Sequence, residues 1–455
     1  MNAGDLDCSR LENNMAQHGA SSPVARVAFG VVAAAVVANA LFNLIAALNG
    51  GSFPQTIFLF RPDDRFADFF KLTGGYPGPP WHETGSAWLR HHLATFDAEA
   101  AKFAGSNINS FHVPPLGTLI GLMWRRGVAL VDPLILFGAM MAAGLTLWVA
   151  VVTRAVPSSV APAPAAGPAG RNRWLLGALA LVNYPLLLMV DRGHFFSLTC
   201  AICIVAATVR SLKMGRADWV SIALFAIVLN MRPNAGLVPL ALWLGRRGWR
   251  FVDMVKLGVA FAVLFVGALG AAHALYPAYT LTAFRHGLSD YAGVYVLGGL
   301  GLAYGSSLWG AFKSLSLLSQ GWLLAATEIS AGVYAFGLIA ARRGRISDSG
   351  LMFVTMASYS LISQVFADYH LMVFMLPIIL LAREEWRGSA GQWIVLLASC
   401  FVLAPKNYLF FTLPGGMAVS WQVVANPFVL LVAAVAVLAL GRRDAVTRLG
   451  AAAAP

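Results

Sequence analysis

Asp63, Asp64 and Asp68 lie within the stretch RPDDRFADFFK (61–71), which also carries Arg61, Arg65 and Lys71. A carboxylate there can take a proton from an attacking hydroxyl or hold a metal. On a helix, Asp64 and Asp68 share one face because they are four residues apart. Pro62 suits a helix start, the acids suit its first turn, and Phe66, Phe69 and Phe70 give the remaining surface an apolar stripe. The stretch therefore predicts a short amphipathic helix lying on a membrane surface, with its carboxylates turned towards a cavity.

A second set of chemically able residues falls in short turns between apolar runs: VDRGHF (190–195), NMRPN (230–234), AFRHGLSDY (283–291), ADYH (367–370) and PKNY (405–408). Arg192, Arg232, Arg285 and Lys406 can hold a phosphate, the arginines bidentately. His112, His194, His286 and His370 can move protons or orient a phosphate. A carboxylate base together with a cationic clamp on a departing phosphate is what glycosyl transfer from a phosphate-linked sugar requires. Ionisable groups at membrane depth are costly, so their gathering on one side points to function.

The elements that must position these groups follow from composition. The chain has 455 residues, is 58% hydrophobic and only 11% charged, and has a mean hydropathy of +0.70. A soluble domain is about a quarter charged. The expected class is an all-α polytopic membrane protein. Apolar runs occur near 24–48, 114–153, 174–190, 195–212, 217–230, 235–245, 254–275, 321–341, 350–366, 371–382, 391–405 and 426–441. Several fall short of the roughly 20 residues a span needs. Pro233, Pro239 and Pro377 interrupt or border the short ones, and broken helices of this kind are tolerated where backbone lines a cavity.

Basic residues assign the sides. One set of connections carries Arg10 and Arg26; Arg154, Arg171 and Arg173; Arg210, Lys213 and Arg216; Arg246, Arg247 and Arg250; Arg342, Arg343 and Arg345; Arg383 and Arg387; Arg442, Arg443 and Arg448. The alternate short connections carry only Arg192, Arg232, Arg285 and Lys406. The basic set reads as cytoplasmic. The alternation runs from end to end if 114–153 makes one net crossing, with a half-helix at 114–124 ending at Arg125-Arg126 and a span over about 128–153. About 12 crossings result. They divide into a cytoplasmic tail (1–23), one transmembrane domain (24–441) with a long first extracytoplasmic loop (49–112), a Pro/Ala-rich cytoplasmic linker (154–173), and a cytoplasmic C-terminal tail (442–455). Val24 to Leu48 reads as a retained helix rather than a cleaved signal. Cys200 and Cys203 form a CxxC inside an apolar run and read as small core residues. The net charge of +12 is spent on topology and anionic headgroups rather than on nucleic acid.

Four stretches make the chain resemble the GT-C membrane glycosyltransferases, in particular glycosyltransferase family 87: DDRFADFF in the first loop, HVPPLGTLI (112–120), the region 184–250, and ADYHLMVFMLPIILL (367–381). Where that family has Gly-Gln this chain has Gly193-His194, its Lys-Pro pair becomes Arg232-Pro233, and Val113 stands for its Tyr. The resemblance implies a polyprenyl-phosphate sugar donor, inversion at the anomeric carbon, a lipid or glycan acceptor, and no cofactor or essential metal. It also implies a site on the periplasmic face of a bacterial inner membrane. It carries the role of general base to Asp64 or Asp68, with Asp63 in the same acidic pair. Arg232 takes the place of a donor-phosphate ligand and His370 that of a second polar anchor, alongside His194, His112 and Asp368. Mannose and arabinofuranose donors both occur among such enzymes. Two other readings use the same broken helices and cations: a transporter or flippase of a lipid-linked sugar, and a surface-glycan polymerase or ligase. The long loop at 49–112 has no counterpart in the second half, which disfavours the transporter.

Overall fold

The computed structural model describes residues 113–128, 133–155, 176–246, 248–293, 305–315, 320–384, 388–404, 410–412, 418–420 and 422–452. They are helical apart from short connections and a two-stranded antiparallel ribbon. Along the chain run α1 (Pro115–Val128), α2 (Pro133–Ala155), a helical segment at 176–182, α3 (Tyr184–Arg192), α4 (Phe195–Met214) and α5 (Trp219–Met231). A 3-10 turn at Pro233–Gly236 leads into α6 (Leu237–Leu244), followed by α7 (Phe251–Leu275), α8 (Leu281–Tyr291), α9 (Leu308–Ser314), α10 (Gln320–Arg342) and α11 (Asp348–Ile362). A second 3-10 segment, Asp368–Phe374, continues into α12 (Met375–Leu381) and α13 (Ala390–Leu403). The ribbon pairs Phe410–Thr412 with Ala418–Ser420, Phe411 opposite Val419, ahead of α14 (Gln422–Ala452).

Five described helices are long and apolar enough to cross a membrane: Phe137–Ala155, Phe195–Met214, Phe251–Leu275, Gly321–Arg342 and Gln422–Leu440. Shorter apolar helices fill the space between them: Trp219–Met231, Pro233–Leu244, Asp368–Leu381 and Ala390–Leu403. Prolines account for part of the shortening. Pro233 disfavours a helical Arg232, so α5 stops at Met231 and the chain restarts through a 3-10 turn. Within 114–153 the described residues form α1, which runs through Arg125-Arg126 to Val128, and α2, which begins at Pro133; the half-helix was expected to end at Arg125-Arg126.

The core lies around α11, whose residues from Ser349 to Leu361 are all buried against α10, α12, α6 and α14. By contrast, α7 is peripheral. Its outward stripe of Val255, Val259, Val263 and Val266 is exposed at near-helical spacing, as suits a lipid-facing helix.

The connections sort into two ends. At one end Arg383 Nη1 donates to the Ala155 carbonyl (3.0 Å), Arg342 Nη1 to the Leu244 carbonyl (3.3 Å), and Arg246 pairs with Asp348. The Glu384 carboxylate accepts from the Ser349 backbone N–H and hydroxyl, each at 2.7 Å. Gly248 packs so closely on the 215–216 turn that a Cβ would sit 2.6 Å from the Gly215 carbonyl oxygen. These are connections from the basic set, so the alternation read from Arg and Lys corresponds to two physical ends of the bundle. At the other end lie 193–197, 232–236, 305–307 and 363–370.

One expected turn is a helix. AFRHGLSDY belongs to α8, because the Thr280 hydroxyl accepts from the Ala283 N–H (3.1 Å) and caps the helix start. Gly287 is buried, while Arg285 and His286 are exposed on the same helix.

Candidate functional site

The site is built on the link between α3 and α4. Asn183 joins 176–182 to α3: its Oδ1 accepts from the Leu186 N–H (3.0 Å) and its Nδ2 donates to the carbonyls of Leu179 (3.1 Å) and Ala180 (2.7 Å). A single buried amide thus satisfies backbone groups that two helix ends leave open. At the other end of α3, Gly193 takes a left-handed φ of 67°, which glycine adopts without steric cost. The Gly193 N–H donates to the Val190 carbonyl (3.1 Å) and the His194 N–H to the Met189 carbonyl (3.0 Å), a Schellman closure. This turn delivers His194 to the cap position of α4, where its Nδ1 accepts from the Ser197 backbone N–H (3.2 Å).

The Ser197 hydroxyl lies 2.8 Å from His194 Nδ1 and 2.7 Å from His370 Nδ1, so it bridges two imidazoles from distant parts of the chain. The Tyr369 ring stacks on His194 at 4.6 Å, and Phe366 meets His370 edge-on at 5.3 Å. His370 and Ser197 are buried and His194 is half-buried.

The 3-10 segment that carries His370 is anchored by its neighbour Asp368, whose carboxylate accepts from the Ser306 hydroxyl. Ser306 Oγ in turn accepts from Asn426 Nδ2 (2.9 Å), and the Ser306 carbonyl accepts from the Ser360 hydroxyl (2.6 Å). A backbone bridge between Gly305 and Ala367 completes the clamp. Asp368, expected as a polar anchor for substrate, therefore holds this segment to α11 and α14.

Arg232 leaves the C-terminal end of α5 in a non-helical conformation, φ −145° and ψ 84°, and is half-buried. The field of its guanidinium reaches His194, His370, Tyr359 and Tyr369. Among the described residues it forms no ion pair with a carboxylate. Arg192 is buried, and its field also reaches His194. Behind them Asn234 Nδ2 donates to the Ser363 hydroxyl (3.3 Å), tying the 3-10 turn after Arg232 to the end of α11.

Of the residues singled out from sequence, His194 and His370 come together through Ser197, near enough to Arg232 and Arg192 for His194 to feel both charges, with Asp368 beside His370 as a support. Arg285 does not join the cluster but is exposed on α8. Asp63, Asp64, Asp68, His112 and Lys406 lie outside the described residues. Among the described residues no group of three or more His, Cys, Asp or Glu side chains is arranged to hold a metal ion. Cys200 and Cys203 are free thiols buried in α4, in keeping with their reading as core residues.

Sequence reasoning missed Ser197 and Tyr369. Ser197 stands three residues after His194 at a helix start, where side chains share a face, and that spacing was the available signal. Tyr369 had none beyond its position next to His370. Chemically, two cations and two imidazoles in one neighbourhood are groups suited to an anion with hydroxyl groups attached. Comparison with protein-family models, with curated proteins and with solved structures gives no match.

Proposed function

We propose that this chain is a membrane glycosyltransferase that moves a sugar from a polyprenyl-phosphate donor to a lipid or glycan acceptor with inversion. In this reading the architecture is GT-C-like, with about 12 spans and a site facing the periplasm of a bacterial inner membrane. A carboxylate of the first loop, Asp63, Asp64 or Asp68, takes the proton of the acceptor hydroxyl. The acceptor oxygen forms its bond to the anomeric carbon from the face opposite the phosphate. The bond from that carbon to the phosphate oxygen breaks, and its electron pair leaves with the phosphate. Arg232 and Arg192 receive the charge that develops there.

The observation that carries the reading is the surroundings of Arg232. A half-buried guanidinium set among imidazoles and phenols, with no described carboxylate paired to it, is an electrostatic arrangement that an anion completes.

The test is transfer in detergent. Purified protein is mixed with polyprenyl-phosphate sugars and a crude lipid or glycan acceptor, and labelled product is measured. The expected result is transfer by the native chain and a loss of about 100-fold or more in Asp64→Asn or Asp68→Asn. Full transfer by both variants overturns the assignment of the base. Absence of transfer by the native chain favours a flippase, which does no chemistry in micelles. The side of the membrane is read separately. With Cys8 replaced by Ser, a cysteine at exposed Arg285 is expected to react with an impermeant thiol reagent from outside, and one at exposed Lys213 is not. The described native thiols at Cys200, Cys203 and Cys400 are buried, which keeps the background low.

A further inference from the structure

Three contacts meet at Ser197, and only one arrangement of protons satisfies all of them. The Ser197 backbone N–H can only donate, so His194 Nδ1, at 3.2 Å, is an unprotonated acceptor. The Ser197 hydroxyl lies 2.8 Å from the same nitrogen. If that hydroxyl gave its proton elsewhere, two lone pairs would face each other at hydrogen-bond distance. It therefore donates to His194 Nδ1, leaving its oxygen to accept from the other imidazole at 2.7 Å. His370 Nδ1 must then carry a proton.

We infer that Ser197 sets the two histidines in opposite tautomers, so that His194 presents a donating Nε2–H and neutral His370 presents an unprotonated, accepting Nε2. The direction of the chain, His370 to Ser197 to His194, is imposed by the one group in it that has no choice, the backbone N–H at the start of α4. Tyr369, stacked on His194 and packed edge-on against His370, limits rotation of both rings. Ser197 is buried and acts through the imidazoles, so it is a positioning residue. A ring that donates beside a ring that accepts suits a ligand offering an acceptor oxygen next to a hydroxyl. A sugar phosphate has both: the phosphate oxygen takes the His194 proton and a sugar hydroxyl donates to His370. The ligand class rests on the reading of the site as one for a phosphate-linked sugar, whereas the Nδ1 protons are set by the hydrogen bonds and the neutrality of His370 by its burial.

The test is nitrogen NMR of the full chain in liposomes, labelled with nitrogen-15 at histidine. His194→Gln and His370→Gln identify the two rings by loss of signal. The expected spectrum shows His194 protonated at Nε2 alone and His370 protonated at Nδ1 alone, and a doubly protonated His370 overturns the proposal. The same tautomer at both rings, or a bare Nδ1 on His370, overturns the proposal without any variant of Ser197 having to fold. In Ser197→Ala the His370 proton is expected to move to Nε2, and Ser197→Thr, which restores a hydroxyl, is expected to return it. A His370 tautomer unchanged in Ser197→Ala shows that Ser197 does not set it. In the transfer assay Ser197→Ala is expected to lower kcat on the order of 10-fold or more, through misplaced imidazoles. Opposite tautomers in a chain that transfers no sugar would leave the proton assignment intact and remove the glycosyltransferase reading, so the two fail separately.

Discussion

The two ends of the helix bundle use charge in opposite ways. At the end built from 155, 215–218, 244–246, 248–250, 342–349 and 383–384, several cations and carboxylates meet partners of the protein's own. Arg246 meets Asp348, Arg210 meets Asp218, and Glu384 receives the start of α11 through Ser349. These contacts satisfy helix ends and hold neighbouring helices in register. At the other end Arg232 has imidazoles and phenols around it, and the described residues supply no carboxylate to neutralise it. Several charges at the first end are thus paired within the protein, whereas in the proposed reading the charge at the second is met by an anionic ligand. The contrast separates cations that support the bundle from those that the proposed function assigns to a ligand, a distinction that net charge does not make.

The sharpest way to break this comparison is to remove the guanidinium that lacks a carboxylate. Arg232→Ala is expected to lower kcat/KM for sugar transfer by about 1,000-fold, the cost of losing a cation from a preorganised anion site. Its melting temperature should stay near that of the native chain, because no internal ion pair is lost. An unchanged transfer rate would remove the distinction between the two ends.

The imidazole pair comes next. His370→Gln is expected to reduce transfer by about 100-fold. Adding His194→Gln should cost far less than a second factor of that size, because residues acting as one hydrogen-bonded unit are not additive. A fully multiplicative double variant would show that the two rings act independently.

Changes at the first end should behave differently, altering stability and leaving turnover alone. Glu384→Ala strips the acceptor from the Ser349 N–H and hydroxyl and is expected to cost about 2 kcal/mol, read from thermal unfolding in detergent. Its kcat should match that of the native chain.

The smallest effect belongs to Asp218. Burial pushes its carboxyl up, but hydrogen bonds from Ser221 and the ion pair with Arg210 outweigh that and hold it below the usual carboxylate range. Because the folded value is the lower one, the stabilisation is present above the unfolded carboxylate value of about 4 and is lost as pH falls below it. Asp218→Asn keeps an acceptor for the Ser221 N–H and loses only the charge. With Arg210 exposed, the expected loss is below about 1 kcal/mol, and it should vanish in melts run under acidic conditions or at high salt.

Much of the site was legible because it depends on residue type and on alternation along the chain. Arg192, His194, Arg232 and His370 were all selected as ionisable groups in connections of the less basic set. Arg285 met the same criterion and is nonetheless exposed on α8. A hydroxyl cap at Thr280 turned its connection into a surface helix, and capping is a local feature that a reading of charge and hydropathy does not weigh. Asp368 also met the criterion, yet its carboxylate is engaged by Ser306, a partner 62 residues away.

The sequence by itself determined the membrane class, the positions of most apolar helices, the break at Pro233, and the sorting of connections into two ends. All of these are sums or spacings along one dimension, and the bilayer converts such sums directly into structure. Only the tertiary structure decided which turns meet. The Ser197 hydroxyl and the His370 imidazole are 173 residues apart, and nothing near either in the chain selects the other. Their contact exists because α4, α11 and the Asp368–Phe374 segment pack around a shared core. Packing of that kind is settled by the mutual fit of whole helices rather than by any stretch of sequence alone.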